Sequence, residues 1–390
     1  MVVPGGSCAA SHMMENDHIS TQEHGKWHTD MDLGRSRQIK NLSYAVNSTI
    51  MGDMRKDYIS ERFTIISKKT ASDNTEDNPY KPGNESMTKP SVLSLISRDG
   101  VLQRLRDIEE DYVEGWSVRV FESDYPVVST EAGDRYSERP HYMEPAYGYH
   151  YVVVTSSSNA ESLATISRDA WSTMLVVVQD RTRWLYTQKH ITYVAVHASY
   201  GNTLGGGDNP IPHMHIIALS TVPPVIREEI ASTEKMHKEN GACPICQIAK
   251  VEKNGPRMII RIGGFIAFCP WSPRYPYEFW IVPEKHTTSF TKLTQKHLDN
   301  LATIIRVTLG GLTKAIGDAA YNIVFHLSPE TKTTKQIHWH IEIYPMTEAW
   351  SGLEHGYGIY VNSKSPEDVA GELGSLCRRE FAIMADVVQT

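Results

Sequence analysis

Two segments of this chain repeat one order of elements, and each copy ends on a strand that opens with a histidine pair. In the first copy Tyr149–Thr155 (YHYVVVT) reads as a strand. An amphipathic helix follows around Ser167–Trp184, then strands at Ile191–His197 and His213–Leu219. In the second copy Tyr277–Val282 (YEFWIV) is the strand and roughly Thr294–Ile316 the helix. Tyr321–His326 and His338–Tyr344 are its closing strands. A strand, long helix, strand, loop, strand unit can bury one sheet face under its helix. Its duplication therefore predicts an α+β fold of two tandem domains, each a mostly antiparallel sheet with a long helix. The length agrees, because 390 residues exceed what one core comfortably serves. The linker falls near Pro223–Gly241, where Pro223-Pro224 gives way to a charged helical stretch. The expected organisation is a leader and polar arm over 1–54, a first domain over 55–225 and a second over 226–390. Residues 1–13 look like an expression-vector leader, and Asp73–Pro90 carries turn residues at loop density.

Charge and hydropathy exclude several classes of function. The formal net charge is -7 and no segment gathers the basic residues, which argues against a nucleic-acid partner and for a small anionic substrate held by local donors. No apolar run reaches the ~18 residues that a membrane span requires, and no secretory signal opens the chain. A cytoplasmic enzyme with no membrane partner is the expectation.

The chemistry sits on the closing strands. Alternate side chains of a strand share a face, so His213 and His215 stand side by side while Met214 and Ile216 face the core. The preceding run Gly205-Gly206-Gly207-Asp208-Asn209-Pro210 lets backbone N–H groups approach phosphate oxygens closely. Imidazole is a good nucleophile toward phosphorus near neutral pH and a good leaving group afterwards. Two strand histidines bound to neighbours or to a metal are the competing reading of the same spacing. In the second copy His338, His340 and Glu342 share a face, but the preceding Ser328–Gln336 is Lys/Thr-rich. That pair reads as a degenerate or metal-associated copy.

The five cysteines are Cys8, Cys243, Cys246, Cys269 and Cys377, an odd and scattered set that makes a poor disulfide framework. Cys243-Pro-Ile-Cys246 has the spacing of a zinc knuckle, with His286 and His326 as the candidate partners. Ordinary thiols are the alternative. Cys269 and Cys377 lack companions and read as buried apolar residues.

These motifs, in this order, resemble the galactose-1-phosphate uridylyltransferase family of the histidine-triad superfamily. The resemblance runs over residues 55–385. It rests on the duplication, the Gly-rich loop before Pro-His213-Met-His215, and His338-Trp-His-Ile-Glu-Ile-Tyr-Pro345. Smaller matches are Asn78-Pro-Tyr-Lys-Pro-Gly-Asn-Glu85, Trp116-Ser-Val-Arg-Val, and Gly352-Leu-Glu354 followed by Gly358-Ile-Tyr-Val-Asn362. The resemblance implies two histidine-triad-like domains and a homodimer in galactose metabolism. His213 becomes the nucleophile that is nucleotidylated, and Lys69, Gly205, Gly206, Gly207, Asp208, Asn209 and Glu354 the substrate-binding residues. The implied zinc set is Cys243, Cys246, His286 and His326. An alternative set for zinc or iron is Glu229, His326, His338 and His340. The family's other metal site would fall on Asn78, Lys81, Asn159 and Ile211, so it is expected to be missing. His215 stands where transferases carry glutamine and hydrolases their third histidine.

The implied reaction moves a nucleoside monophosphate from a nucleoside-diphosphate compound, UDP-hexose in the family, through His213 to a phosphate-bearing acceptor such as a hexose 1-phosphate. The His213 ring is expected to be held by a backbone carbonyl such as that of Ile211, with His215 donating to the phosphoryl oxygen. Two alternatives stay open. One is adenylyl transfer, phosphorolysis or hydrolysis of ADP-sugars, dinucleoside polyphosphates or adenylylsulfate; the other is a non-catalytic nucleotide-binding zinc protein. His197 at a strand end, and His355 and Tyr357 near a neighbouring subunit's substrate, are weaker candidates.

Overall fold

The structure is a computed structural model that describes residues 52–67, 78–98, 101–109, 111–131, 133, 135–156, 162–201, 211–330 and 337–387. Lys69, Gly205, Gly206, Gly207, Asp208 and Asn209 lie outside these residues, as do Asn159, the leader and most of the arm.

In chain order the first strands are β1 (Asp53–Lys56), β2 (Phe63–Ile66), β3 (Ser91–Arg98), β4 (Val101–Leu105) and β5 (Trp116–Glu122). Then come β6 (Tyr136–Glu138), β7 (His141–Pro145) and β8 (Gly148–Thr155), helix α1 (Arg168–Leu185), β9 (Tyr193–Tyr200) and β10 (His213–Leu219). The second stretch holds α2 (Pro224–Asn240), α3 (Pro244–Glu252), β11 (Met258–Ile262), β12 (Phe265–Phe268) and β13 (Phe279–Pro283). It closes with α4 (Gln295–Ile316), β14 (Tyr321–His326), β15 (His340–Pro345), α5 (Gly352–Tyr357) and α6 (Pro366–Val387).

Eleven strands form one sheet in the order β11-β12-β13-β15-β14-β9-β10-β8-β5-β3-β4, and every pairing in it is antiparallel. Reading outward from the β9–β14 junction gives β9-β10-β8 on one side and β14-β15-β13 on the other. The duplicated order seen in the sequence is thus laid out twice, head to head. A separate small sheet, β2-β1-β7-β6, is formed from residues before β8.

Helices α1 and α4 begin where their caps dictate. The Ser167 hydroxyl accepts from the Ala170 N–H at the start of α1, and the Thr294 hydroxyl from the His297 N–H at the start of α4. Apolar residues at helical spacing, Trp171, Met174, Leu175 and Val178 in α1 and Leu298, Leu301, Ile305 and Leu312 in α4, are buried. The α1 and α4 helices meet through Ser172, whose Oγ donates to Asp299 at 2.5 Å. Farther along, α6 crosses α4 so closely that a Cβ on Gly311 would lie 2.5 Å from Cys377 Sγ. Cys377 and Cys269 are buried, as their isolation in sequence suggests.

One continuous core lies on the helix side of the sheet, taking in Val153, Met214 and Ile216 from the first half and Phe279, Ile323, Ile341 and Ile343 from the second. Strand alternation then turns the intervening residues to the opposite face. Stepping across that face, ladder partners run Val152, His215, His197, Val324, Glu342 and Trp280. His197 and Val324 meet at the junction, so Glu342 is the positional counterpart of His215, His340 of His213 and His338 of Ile211. Aligning the two His-x-His pairs by sequence places them two residues out of this register.

Candidate active site

Four histidines gather on the open face. His213 and His215 come from β10, His197 from β9 directly opposite His215, and His150 from β8 on the other side. The His213 ring meets His215 edge-on at 5.2 Å between centroids, and His197 stacks on His215 at 5.2 Å with 24° between planes. His150 Nε2 lies 3.0 Å from His215 Nδ1. His213 Nδ1 lies 2.8 Å from the Ile211 carbonyl oxygen, the contact expected from sequence. A carbonyl can only accept, so Nδ1 carries the hydrogen and Nε2 keeps its lone pair.

Burial sets the charge state of this cluster. It lowers the His213 pKa against the opposing effect of the Ile211 carbonyl, and it drops His150 and His197 to about 4. His215 is driven down by burial and by its three histidine neighbours. All four rings are therefore neutral at pH 7. A neutral imidazole is the form that attacks phosphorus.

Tyr80 stands edge-on to His213 at 5.3 Å. It belongs to the Asn78–Glu85 segment, which Glu85 fastens down. The Glu85 carboxylate accepts from Trp116 Nε1 at 2.6 Å and from the Gly83 N–H, while its carbonyl accepts from Arg119. Arg119 is itself buried against Asp107 at 2.8 Å. A surface cleft of about 550 Å³ lies elsewhere, lined by Lys56, Phe63, Arg139 and Arg227 and by none of the four histidines.

The second half of the same face holds two groups of ligating atoms. Cys243, Cys246, His286 and His338 form the first, with all ligand atoms within 4.8 Å of one another. Cys246 Sγ is 3.4 Å from both His286 Nδ1 and His338 Nδ1, and Cys243 Sγ is 4.0 Å from His338 Nδ1. A tetrahedral ion bound by sulfur and nitrogen has S···N edges of about 3.5 Å, so these four fit one. The membership differs from expectation: His338 completes the thiolate set, and His326 does not join it. His338 precedes β15, where the Trp339 N–H is tied to the Thr287 carbonyl, and reaches the knuckle from there. His326 pairs with His340 at the end of β14 and faces away toward α2.

The second group is Glu229, His326, His340 and Glu342. Here His326 Nδ1 is 2.5 Å from Glu229, and His340 Nε2 is 3.1 Å from Glu342. Arg274 adds a contact of 3.0 Å to Glu342. Burial opposes charge on His326, but Glu229 and Glu342 outweigh it and raise its pKa. Compared with the alternative set read from sequence, Glu342 replaces His338.

Glu354 is held at the start of α5 in a capping box, where its carboxylate accepts from the Ser351 N–H at 2.8 Å and the Ser351 hydroxyl at 2.7 Å. The Val361 N–H also reaches it. Those bonds hold its pKa at about 2. His355 stands beside Trp350 at 5.5 Å, and Tyr357 is exposed. His150 was not singled out by sequence; its only signal is one imidazole inside the otherwise apolar and aromatic Tyr149–Thr155.

The described residues thus form a two-copy antiparallel sheet with a histidine cluster on its open face. No family model matches the sequence. The chain is 27% identical over 325 residues to an ADP-glucose phosphorylase of Arabidopsis thaliana, covering 82% of this chain and 91% of that one. It is 25% identical over 271 residues to a galactose-1-phosphate uridylyltransferase of Thermotoga maritima, covering 67% and 85%. A solved uridylyltransferase structure superposes with a TM-score of 0.72 at 23% identity, covering 84% of this chain and 99% of that one, which shows the shared fold. The relatives are enzymes, and these relations support reading the chain as an enzyme too, a divergent relative of the galactose-1-phosphate uridylyltransferases.

Proposed function

We propose that this enzyme moves a nucleoside monophosphate from a nucleoside diphosphohexose to a phosphate-bearing acceptor by way of a covalent nucleotidyl-His213. The observation that carries this reading is the His213 tautomer, with Nδ1 anchored on the Ile211 carbonyl and Nε2 left as a nucleophile. In the first step Nε2 attacks the α-phosphorus, a P–N bond forms, and the P–O bond to hexose 1-phosphate breaks. In the second an acceptor phosphate oxygen attacks the same phosphorus and the P–N bond breaks, restoring neutral His213. His215 donates to the phosphoryl oxygen as charge builds there. The Gly205–Gly207 run, Asp208, Asn209 and Lys69 are read as the phosphate and nucleotide contacts, and Glu354 as a group that shapes the hexose end through its cap.

Two acceptors follow from the two relatives. The uridylyltransferase relation supports UDP-hexose with hexose 1-phosphate as acceptor. The relation with the larger identity and coverage, to a protein named ADP-glucose phosphorylase, supports ADP-glucose with inorganic phosphate, which yields ADP and glucose 1-phosphate. Either way, labelled hexose 1-phosphate should exchange into the nucleotide hexose with no second acceptor present, and His213→Gly should abolish that exchange. Turnover without exchange points to direct displacement and overturns the covalent reading.

Cys243, Cys246, His286 and His338 are read as one structural zinc site, the ion bracing α3 against the end of β13. Their four free-thiol and imidazole donors suit zinc more than iron. A homodimer is read from the exposed apolar side chains of Leu353, Tyr357, Ile359 and Val361 in and after α5. Light scattering at twice the chain mass supports it, and a monomer at micromolar concentration excludes it.

A further inference from the structure

We propose that His150 is a positioning residue that fixes His215 in its Nε2–H tautomer, so that adjacent histidines of one strand hold opposite tautomers. The inference deepens the reading above and rests on it for its catalytic meaning, but not for its geometry.

A backbone amide sets the His150 tautomer. The Val127 N–H points at His150 Nδ1 over 3.3 Å. A peptide N–H can only donate, so Nδ1 is the bare nitrogen of His150 and the ring hydrogen sits on Nε2. That Nε2–H lies 3.0 Å from His215 Nδ1, which must then accept. The His215 hydrogen is thereby placed on Nε2. His213 receives the reverse assignment from the Ile211 carbonyl at 2.8 Å. One strand thus presents a lone pair on His213 Nε2 and a hydrogen on His215 Nε2, the two things that attack and oxyanion stabilisation need.

The surroundings hold the chain of bonds in this sense. Ladder pairing sets Ile217 opposite His150 and Val152 opposite His215, so His150 reaches His215 along the diagonal. His197 stacks against the His215 ring and fixes its plane. His150 is 8% exposed, and burial keeps it neutral near pH 7. An imidazolium at His150 would set an Nδ1 hydrogen against the Val127 N–H and break the sequence. His215 is neutral, so one ring nitrogen carries a hydrogen and the other is bare. It donates at Nε2 only if its tautomer is imposed.

The test uses the full chain labelled with 15N-histidine. Two-bond 1H–15N correlation spectra of the unliganded protein should show His215 bare at Nδ1 and protonated at Nε2, and His213 the reverse. His150→Phe removes the donor but keeps a ring; it should convert His215 partly to the Nδ1–H form and lower kcat about tenfold or more with KM nearly unchanged. His150→Gln, whose amide can donate in place of Nε2–H, should recover most of that loss. Wild-type His215 protonated at Nδ1 overturns the proposal, as does a His150→Phe variant with wild-type kcat and an unchanged tautomer. Should His150→Phe not fold, the wild-type spectrum decides alone. Failure of the covalent reading has a different mark, which is exchange activity surviving in His213→Gly.

Discussion

At the scale of single residues, the site works through hydrogen placement more than through charge. Burial strips the four histidines of their protons at neutral pH, leaving each ring one donor and one acceptor. For His213, His150 and His215, what the ring can do is then decided by the neighbour that claims its Nδ1. His215→Ala should reduce kcat by about a hundredfold, roughly 3 kcal/mol of transition-state stabilisation, with the fold intact by circular dichroism. An activity within threefold of wild type would remove His215 from the reaction. His213 and His215 were legible from strand alternation beside a glycine run. His150 was not, because a lone imidazole in YHYVVVT is far more often a satisfied strand residue, and its partner lies 65 positions away.

At the scale of elements, the helices and closing strands were readable because caps and apolar spacing are local signals. Ser167 and Thr294 cap where the sequence placed the helix starts, and His213–Leu219 and Tyr321–His326 are strands with the expected bounds. The ligand groups were less legible, since they depend on register between strands. Register sets His340 opposite His326 and leaves His338, two residues earlier, to meet Cys246, and spacing along the chain carries no such information. The knuckle itself gives an element-scale prediction. The purified protein should hold one zinc per chain at this site, and Cys243→Ser should lose it and lower the melting temperature by several degrees, because α3 is short and draws little support from its own burial. Full zinc content in Cys243→Ser would assign the metal to the Glu229, His326, His340 and Glu342 group instead.

At the scale of the whole molecule, the described residues divide their work between the two sides of one sheet. The helix side carries the shared core, and the opposite side carries the histidine cluster and both ligand groups. No helix among the described residues is long and apolar enough to cross a membrane. The duplication was visible in the sequence; the joining of both copies edge to edge through β9 and β14 was not, since pairing between distant strands leaves no local pattern. Neutral buried histidines also make the fold acid-sensitive. His150 has a folded pKa of about 4 against an ordinary value of 6.5, so the unfolded chain binds the extra proton between those limits. The His150 contribution to stability should therefore be level above pH 6.5 and fall by on the order of 3 kcal/mol as the pH drops from 6.5 toward 4. Urea titrations across that range measure it, and a His150→Gln variant should show a shallower decline. A wild-type midpoint that does not change over the range contradicts the assignment.

The proposed chemistry turns on a phosphorus–nitrogen bond at His213 Nε2. The direct measurement is an intact-mass spectrum, under denaturing but non-acidic conditions, of protein mixed with ADP-glucose or UDP-glucose in the absence of any acceptor. The expected result is a mass increase equal to one nucleoside monophosphate, mapped to the peptide that holds His213 and discharged when phosphate or hexose 1-phosphate is added. An adduct that persists in His213→Asn, or turnover of the same nucleotide hexose with no adduct at any time point, would contradict it.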